Sequence, residues 1–330
     1  MDIIVGGYMY PFVEQEVVDL TLPNLSFLAI FTYGITSDGG LIQLDDQALI
    51  QASAANNVVP LMVLAAMNSE GSFDSQLAHD ILNNPEARVR LVENILTNIK
   101  TKGLGGIDFD FEFLFPEDRE LYASFVQQTR ERLNPEGYMV TVALAPKTYA
   151  EQPGPLYEGH DYALLGHAAN LVLLMTYEWG YMYGPPMAVA PVNLVRRVLD
   201  FAVTQIPREK ILMGIPNYGY DWTLPFVQGV SAAEKISNTE AVERAARVGA
   251  VIQYDQLAET PFYRYFDELG KEHEVWFENE ASIRAKLNLV AEYGLAGVSY
   301  WNLMDYFPGN WEVLRSMFNI RKLSSPAEVF

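Results

Sequence analysis

Short, almost wholly apolar segments recur along this chain, and amphipathic segments separate most of them. Apolar runs of this length are typical of strands that are buried on both faces of a parallel sheet. The predicted strands are Ile3–Met9, Phe27–Ile35, Val58–Ala66, Gly106–Phe113, Tyr138–Ala145, Leu171–Trp179, Ile211–Tyr218 and Gly297–Leu303. The helices predicted between them are Asp45–Asn56, Pro85–Thr101, Glu117–Leu133, Val192–Gln205 and Ser282–Tyr293.

Eight strands that alternate with helices predict a (β/α)8 TIM barrel, a fold of the α/β class. The competing arrangement, an open doubly wound sheet, is disfavoured because the chain has no Gly-x-Gly-x-x-Gly turn. The segment between the seventh strand and the helix at Ser282 is far longer than an ordinary βα loop. Within it, Thr239–Val248 is predicted to be helical, and Phe262–Asp267 to pair with Glu274–Glu278. We therefore expect a single barrel over residues 1–330, with a rim insertion at about 223–281 and a loosely held tail at 322–330.

Composition excludes several classes of function. The chain has 42 acidic and 22 basic residues and a formal net charge of −20, so we expect neither a nucleic-acid partner nor an anionic membrane surface. There is no cysteine, and the four histidines have no metal-ligand spacing, so we predict no metal and no cofactor. The amino terminus lacks the features of a signal peptide, and no apolar run is long enough to span a membrane. These patterns do not determine the oligomeric state.

The candidate chemistry lies in the fourth predicted strand. Alternation places Asp108, Asp110 and Glu112 on one face, which is the interior of a closed barrel. The opposite, apolar face consists of Ile107, Phe109, Phe111 and Phe113. Buried carboxyl groups that lie close together raise at least one pKa, which suits a general acid at neutral pH. Glu112 is nearest the C-terminal end of the strand, where barrel active sites lie, and is therefore the predicted acid. The alternative, a polar-faced edge strand, is disfavoured by the apolar strands on both sides.

These motifs resemble those of glycoside hydrolase family 18, the chitinase-like barrels. Gly105–Glu112 is similar to the family signature Asp-x-x-Asp-x-Asp-x-Glu, with Gly105 in place of the first Asp. Met175–Glu178 is similar to the family motif Met-x-Tyr-Asp, with Glu178 in place of the Asp. Trp301 and Tyr8 match aromatic positions at the ends of the last and first strands, and the resemblance implies that Trp301 forms the floor of the central sugar subsite.

Longer segments resemble the spore cortical-fragment-lytic branch of this family, the SleL/YaaH-like N-acetylglucosaminidases. They are Phe115–Arg119, Met175–Ala190 and Gly214–Trp222. Members of that branch often carry N-terminal LysM wall-binding modules, and this sequence shows none. The resemblance implies an amino-sugar polymer as partner and a location at the spore or cell envelope of a spore-forming bacterium.

The resemblance also implies a retaining, substrate-assisted mechanism in which the 2-acetamido oxygen of the substrate attacks the anomeric carbon. Glu112 would protonate the leaving oxygen and later activate water. Asp110 would hold the acetamido N–H and stabilise the positive charge of the oxazolinium intermediate, and Asp108 would control the proton of Asp110. Tyr177 would donate its hydroxyl to the acetamido oxygen.

A second set of residues is predicted to bind the substrate. It comprises Tyr8, Met175, Glu178, Trp179, Asn217, Asp221, Trp222 and Trp301. Aromatic rings stack on the apolar faces of sugars, and polar side chains near strand ends bind hydroxyl groups. Core packing explains Trp179 and Trp222 equally well.

Three functions remain open at this point. The first is an N-acetylglucosaminidase acting on spore-cortex peptidoglycan fragments, and the second is a chitinase or chito-oligosaccharide hydrolase. The third is a non-catalytic, lectin-like barrel, which is disfavoured because such proteins usually lack the acid and Glu112 is present here.

Overall fold

Eight parallel strands close into a barrel in the computed structural model, which describes residues 1–330. The strands are β1 Asp2–Met9, β2 Phe27–Ile35, β3 Val59–Leu64, β4 Gly106–Phe109, β5 Met139–Leu144, β6 Leu171–Leu174, β7 Ile211–Pro216 and β8 Gly297–Trp301. Each strand pairs with the next one along the chain, and β1 pairs with both β2 and β8. This closure confirms the predicted TIM barrel.

The helices are α1 Gln15–Thr21, α2 Gln47–Ala55, α3 Ser75–Leu82, α4 Pro85–Lys102, α5 Arg119–Leu133, α6 Tyr162–Ala168, α7 Val192–Gln205, α8 Asn238–Val248, α9 Glu280–Tyr293 and α10 Pro308–Met317. Local sequence explains their ends. The side chain of Asn84 accepts a hydrogen bond from the backbone N–H of Ala87 at the start of α4, and Gly103 ends that helix in the left-handed conformation. Three helices for which we predicted no bounds, α1, α3 and α6, have only seven or eight residues, so they show little of the 3.6-residue periodicity on which the prediction depends.

Apolar side chains fill the lumen of the barrel and the space between the strands and the surrounding helices. At the amino end of the lumen, a Cβ on Gly6 would lie 1.9 Å from Cζ of Phe27, so only glycine leaves room for this ring. Leu323 belongs to the same interior cluster, and Nζ of Lys322 donates to the carbonyl of Leu25 at 2.7 Å. The chain after Arg321, which we expected to be loosely held, therefore packs against the amino end of the barrel.

The insertion after β7 forms its own antiparallel sheet together with α8. Its strands are Gly219–Thr223, Glu234–Ile236, Gln253–Asp255, Thr260–Phe266 and Glu272–Trp276. The sheet begins at Gly219, which is earlier than the predicted boundary at 223, so Asp221 and Trp222 belong to this sheet rather than to the end of β7. No helix in the structure combines the length and the apolar character needed to cross a membrane.

Candidate active site

The strand that carries the acidic residues ends earlier than their alternation predicts. Strand β4 ends at Phe109, although the backbone N–H of Asp110 still donates to the carbonyl of Leu64 at 2.9 Å. Phe113 has a φ of 58° and is 41% exposed, so it does not join the apolar face of β4 as predicted. The left-handed residue turns the chain away from the barrel and leaves Glu112 at the C-terminal end.

Asp108 is the innermost carboxylate, and both of its oxygens accept hydrogen bonds. The hydroxyl of Tyr8 donates to Oδ2 at 2.6 Å, and the hydroxyl of Thr141 donates to Oδ1 at 2.5 Å. Burial raises the pKa of Asp108 to about 6, and the two hydrogen bonds oppose that rise because they stabilise the ionised form. Asp108 is therefore the member of the trio best able to carry a negative charge.

Asp110 and Glu112 lie further out, and both have raised pKa values. Burial, followed by the charges of Glu112 and Asp108, raises the pKa of Asp110 well above its ordinary value. Burial raises the pKa of Glu112 to about 7. The Oδ1 atom of Asp110 is buried and has no hydrogen-bond partner in the protein. The pair thus provides a protonated acid at neutral pH and an unsatisfied acceptor beside it.

A cavity of about 280 Å³ opens above these carboxyl groups at the C-terminal end of the barrel. It is lined by Tyr8, Tyr10, Phe31, Met67, Phe73, Asp110, Glu112, Ala143, Met175, Tyr177, Glu178 and Trp301. The indole of Trp301 lies 5.4 Å from the ring of Tyr8 and 5.0 Å from that of Phe31, measured between ring centroids. A wall of aromatic rings with a few polar groups is the usual construction of a small-molecule site.

Tyr177 enters the cavity from the segment that follows β6. A Cβ on Gly214 of β7 would lie 2.3 Å from the carbonyl oxygen of Leu174 and 2.8 Å from Cε1 of Tyr177, so glycine leaves the space that this ring occupies. The next residue, Glu178, has a φ of 67° and accepts hydrogen bonds from the hydroxyl of Tyr220 at 3.0 and 3.1 Å.

The structure brings seven of the twelve predicted site residues to the cavity wall. They are Tyr8, Asp110, Glu112, Met175, Tyr177, Glu178 and Trp301. Asp108 lies directly below the wall and is hydrogen-bonded to Tyr8. The other four lie outside the cavity.

Two of these four belong to the insertion. Trp222 is 1% exposed, and its indole N–H donates to the carbonyl of Gly184 at 2.8 Å, so its ring is not available for a sugar. The carboxylate of Asp221 is occupied by Arg244 and His273 at 2.6 and 2.7 Å. The structure therefore brings neither side chain to the cavity, because the chain turns into the insertion sheet immediately after β7.

Trp179 and Asn217 have structural contacts instead of cavity contacts. The backbone N–H of Trp179 donates to the carbonyl of Val189, and its half-buried ring packs on the main core. The side-chain amide of Asn217 donates to the carbonyls of Asn302 and Asp305 at 2.9 and 3.0 Å. Asn217 therefore holds the loop that follows Trp301.

Sequence reasoning missed several residues of the site. Thr141 pairs in register with Asp108 on the neighbouring strand, and Tyr10 follows Tyr8 at the spacing of a shared strand face. Strand alternation in the sequence could therefore have indicated both Thr141 and Tyr10. Phe73 and Met67 come from the loop after β3, where no periodic pattern indicates which side chains reach the cavity.

Comparisons with known proteins agree with the barrel fold. The sequence profile of Glycosyl hydrolases family 18 matches residues 19–305. The cortical fragment-lytic enzyme of Bacillus subtilis is 42% identical over 308 residues, which are 93% of this chain and 71% of that protein. The putative sporulation-specific glycosylase YdhD of the same organism is 39% identical over 315 residues, 95% of this chain and 74% of that one. The crystal structure of the Bacillus cereus spore cortex-lytic enzyme SleL superimposes with a TM-score of 0.93 at 37% identity, and covers 97% of this chain and 75% of its own.

Proposed function

This chain belongs to glycosyl hydrolase family 18 and is therefore a glycoside hydrolase, and from that premise we propose that it is a retaining β-N-acetylglucosaminidase of the spore cortex. Its substrate would be peptidoglycan fragments, and Glu112 would be the general acid and base. The observation that carries this proposal is the position of Glu112 at the wall of the aromatic cavity, with a pKa that burial raises to about 7. Such a group is still protonated near neutral pH and can donate its proton to a leaving oxygen.

The mechanism of this proposal is substrate-assisted, and the surroundings of Asp110 support it. Family 18 is an exception to the usual use of a second carboxylate as nucleophile, because its substrates supply the 2-acetamido group. The unsatisfied Oδ1 of Asp110 is a suitable acceptor for the acetamido N–H. Tyr177, which lines the same cavity, would donate to the acetamido oxygen as that oxygen attacks the anomeric carbon. Asp110 would also stabilise the positive charge that develops on the cyclic intermediate, and Asp108 would control the proton of Asp110.

Glu112 would first protonate the leaving glycosidic oxygen, while the bond from that oxygen to the anomeric carbon breaks and the acetamido oxygen forms its own bond. The resulting Glu112 carboxylate would then take a proton from water, and the hydroxide would open the cyclic intermediate from the face of the departed group. Two inversions at the anomeric carbon give net retention.

The charge of the protein favours cortex glycan over ordinary cell-wall peptidoglycan as the substrate. The cavity wall carries carboxyl groups from Asp110, Glu112 and Glu178, and the whole chain has a formal net charge of −20. A muramic δ-lactam has neither a free carboxylate nor a stem peptide, so the protein repels it less than it repels ordinary muramic acid. The names of the two Bacillus subtilis relatives, with their reference to cortical fragments and sporulation, agree with this choice and with a spore location.

The test is product analysis by mass spectrometry on two substrates, cortex fragments that contain muramic lactam and chitin oligomers. The wild-type protein and Glu112→Gln are compared, with Glu16→Gln, an exposed residue of α1, as the matched control. We expect GlcNAc-ended products from the cortex fragments with the wild type and the control, and none with Glu112→Gln. Proton NMR of the first product should show the β anomer.

Other outcomes are equally informative. Cleavage of chitin alone would preserve the mechanism and refute the proposed substrate. Binding without turnover of either substrate would identify a lectin-like protein. Full activity of Glu112→Gln would refute the role of Glu112.

A further inference from the structure

We propose that His160 and Ser75 are positioning residues that hold the backbone carbonyls of Phe111 and Phe113, the residues on either side of Glu112. This inference rests on the proposed function, in which Glu112 transfers the proton. Burial raises the pKa of Glu112, and no side chain donates a hydrogen bond to its carboxyl group. The location of its carboxyl group therefore depends on the backbone at Phe111 and Phe113.

His160 holds the carbonyl before Glu112. Its Nε2 atom lies 2.7 Å from the carbonyl oxygen of Phe111, and its Nδ1 atom lies 2.9 Å from the backbone nitrogen of Ala145. A backbone N–H can only donate, so Nδ1 accepts and Nε2 carries the proton that is donated to Phe111. His160 is 1% exposed, and burial lowers its pKa to about 4, so the ring stays neutral in this arrangement.

The surroundings of His160 restrict its ring. Tyr122 stacks against both His160 and Phe111, at centroid distances of 6.0 and 5.2 Å. The buried ammonium group of Lys147 donates to the backbone carbonyl of His160 at 2.8 Å. These contacts connect the end of β5 to the segment after β4, and they place the Nε2–H of His160 at the Phe111 carbonyl.

Ser75, which belongs to a different element, holds the carbonyl of Phe113, the residue after Glu112. The hydroxyl of Ser75, the first residue of α3, donates to the carbonyl oxygen of Phe113 at 2.5 Å. Asp74 caps this helix by accepting from the backbone N–H of Leu77, so the Ser75 hydroxyl is not needed as a cap. Phe113 has a φ of 58°, which is unfavourable for a residue with a Cβ, and the bond to Ser75 stabilises it there.

The consequence is that two separate elements hold the backbone around the acid. A general acid acts only when its oxygen lies within hydrogen-bond reach of the leaving group, and a displacement of about 1 Å costs about 10²-fold in rate. Loss of either bond should therefore reduce kcat more than it changes KM, because the aromatic wall of the cavity is left intact.

Two substitutions of His160 separate positioning from simple support of the fold. In His160→Gln the amide nitrogen reaches the place of Nε2, so it retains donation to Phe111 and loses the acceptor for Ala145. In His160→Asn the amide oxygen reaches the place of Nδ1, so the opposite bond is retained. Each variant loses one of two buried hydrogen bonds, so both should be less stable than the wild type. We expect kcat to fall about 10²-fold in His160→Asn and less than about tenfold in His160→Gln.

The same comparison applies to Ser75. Ser75→Ala removes the donor and should lower kcat about tenfold, while Ser75→Thr retains the hydroxyl and should restore most of the rate. Ser316→Ala is the matched control, since the Ser316 hydroxyl also donates to a backbone carbonyl, that of Val313 in α10, away from the cavity. This control should leave kcat unchanged.

The pH profile provides a readout that a structural role would not alter. When Glu112 moves outward, its burial decreases and its pKa falls. The basic limb of the pH profile of kcat/KM should therefore shift to lower pH in His160→Asn and Ser75→Ala. A loss of folded protein lowers the whole profile without moving the limb. Equal kcat losses in His160→Gln and His160→Asn, or unshifted profiles, would overturn the proposal. Glu112→Gln tests the proposed function separately, because that function requires this variant to be inactive. An inactive Glu112→Gln together with unshifted profiles would therefore overturn only the positioning roles of His160 and Ser75.

Discussion

The hydroxyl of Tyr8 donates a hydrogen bond to Oδ2 of Asp108 at 2.6 Å and so joins β1 to β4 across the interior of the barrel. The two strands are not neighbours in the sheet, and only closure of the barrel brings them together. With Thr141 on the other oxygen, Asp108 is fully hydrogen-bonded while Oδ1 of Asp110 is not. The trio is therefore asymmetric, and the proton is favoured on the outer carboxyl groups.

Tyr8→Phe tests this asymmetry. Without the phenol the pKa of Asp108 should rise further, because the hydrogen bond opposes the effect of burial. We expect kcat to fall about tenfold or more and the free energy of unfolding to fall by about 1–3 kcal/mol, the cost of an unsatisfied buried carboxylate. Tyr263→Phe is the control, since it removes a tyrosine bond to the carbonyl of Ala241 in the insertion. If both variants lose stability but neither loses activity, the bond has only a structural role.

The rate should depend on pH through Glu112. Glu112 has to be protonated to act as an acid, and burial raises its pKa to about 7. We expect kcat/KM to fall about tenfold per pH unit above that value. Initial rates at constant ionic strength, between about pH 5 and 9, provide the measurement. A decline that begins near pH 5 would mean that Glu112 titrates at its ordinary value and would contradict the effect of burial.

Glu112→Gln should stabilise the fold while it abolishes activity. In the unfolded chain this carboxyl group ionises near its ordinary pKa of 4.5, whereas in the folded chain it ionises near 7. Between these values the unfolded state loses a proton that the folded state retains, so ionisation favours unfolding and stability falls as pH rises. Removal of the group should therefore add about 1–3 kcal/mol to the free energy of unfolding near pH 8 and almost nothing near pH 4. Urea denaturation of both proteins at the two pH values measures this, with Glu16→Gln as the neutral comparison. An equal effect at both pH values would show that ionisation is not the cause.

Gly214→Ala should damage the site through Tyr177. The new Cβ would lie 2.8 Å from Cε1 of Tyr177 and 2.3 Å from the carbonyl oxygen of Leu174, so the ring or the strand has to move. We expect a loss of about 1–3 kcal/mol in stability and a fall in kcat of about tenfold or more. The control is Gly166→Ala in α6, where the new Cβ meets only the side chain of Ile206, with its closest approach at 2.8 Å. Normal kcat in Gly214→Ala, with the same stability loss as the control, would contradict the displacement of Tyr177.

Asn217→Ala should loosen the loop that follows Trp301. It removes two hydrogen bonds, to the carbonyls of Asn302 and Asp305, and each contributes about 1 kcal/mol. We expect KM to rise several-fold with a smaller change in kcat, because the indole is held less firmly while the carboxyl groups stay in place. Asn134→Ala removes three side-chain hydrogen bonds away from the cavity, one to the carbonyl of Tyr138 and two with the side-chain amide of Asn170, and should leave KM unchanged. A fall in kcat with unchanged KM would show that Asn217 acts on the chemistry instead.

Several features of the site can be predicted from local sequence because they depend on local spacing. Asp108 and Asp110 alternate on a strand, so a shared face follows from strand geometry in any context. The order of apolar strands and amphipathic helices likewise predicts the barrel, since each strand has to be buried on both faces. Closure then places the C-terminal strand ends, and with them Glu112, Tyr177 and Trp301, around one cavity.

Where the structure differs from the sequence-based expectation, the reason is also physical. Trp222 and Asp221 follow β7 closely in sequence, but the chain enters an antiparallel sheet at Gly219, and their side chains are used by its packing and by Arg244. Phe113 departs from the alternation because its left-handed φ ends the strand pattern. Periodicity in the sequence does not indicate the backbone conformation of a single residue. It also does not indicate with which strand, tens of residues away, a segment pairs.

The amino-acid sequence by itself determined the barrel and the run of alternating acidic residues at the end of its fourth strand, because these follow from periodicity and residue type. Only the tertiary structure decided which carboxyl group is satisfied, which aromatic rings reach the cavity and what holds Glu112 in place. Those properties depend on contacts such as Tyr8 with Asp108 and His160 with Phe111, which lie 100 and 49 residues apart in the chain. Their energies depend on burial and on the direction of single hydrogen bonds, which exist only once the barrel has closed.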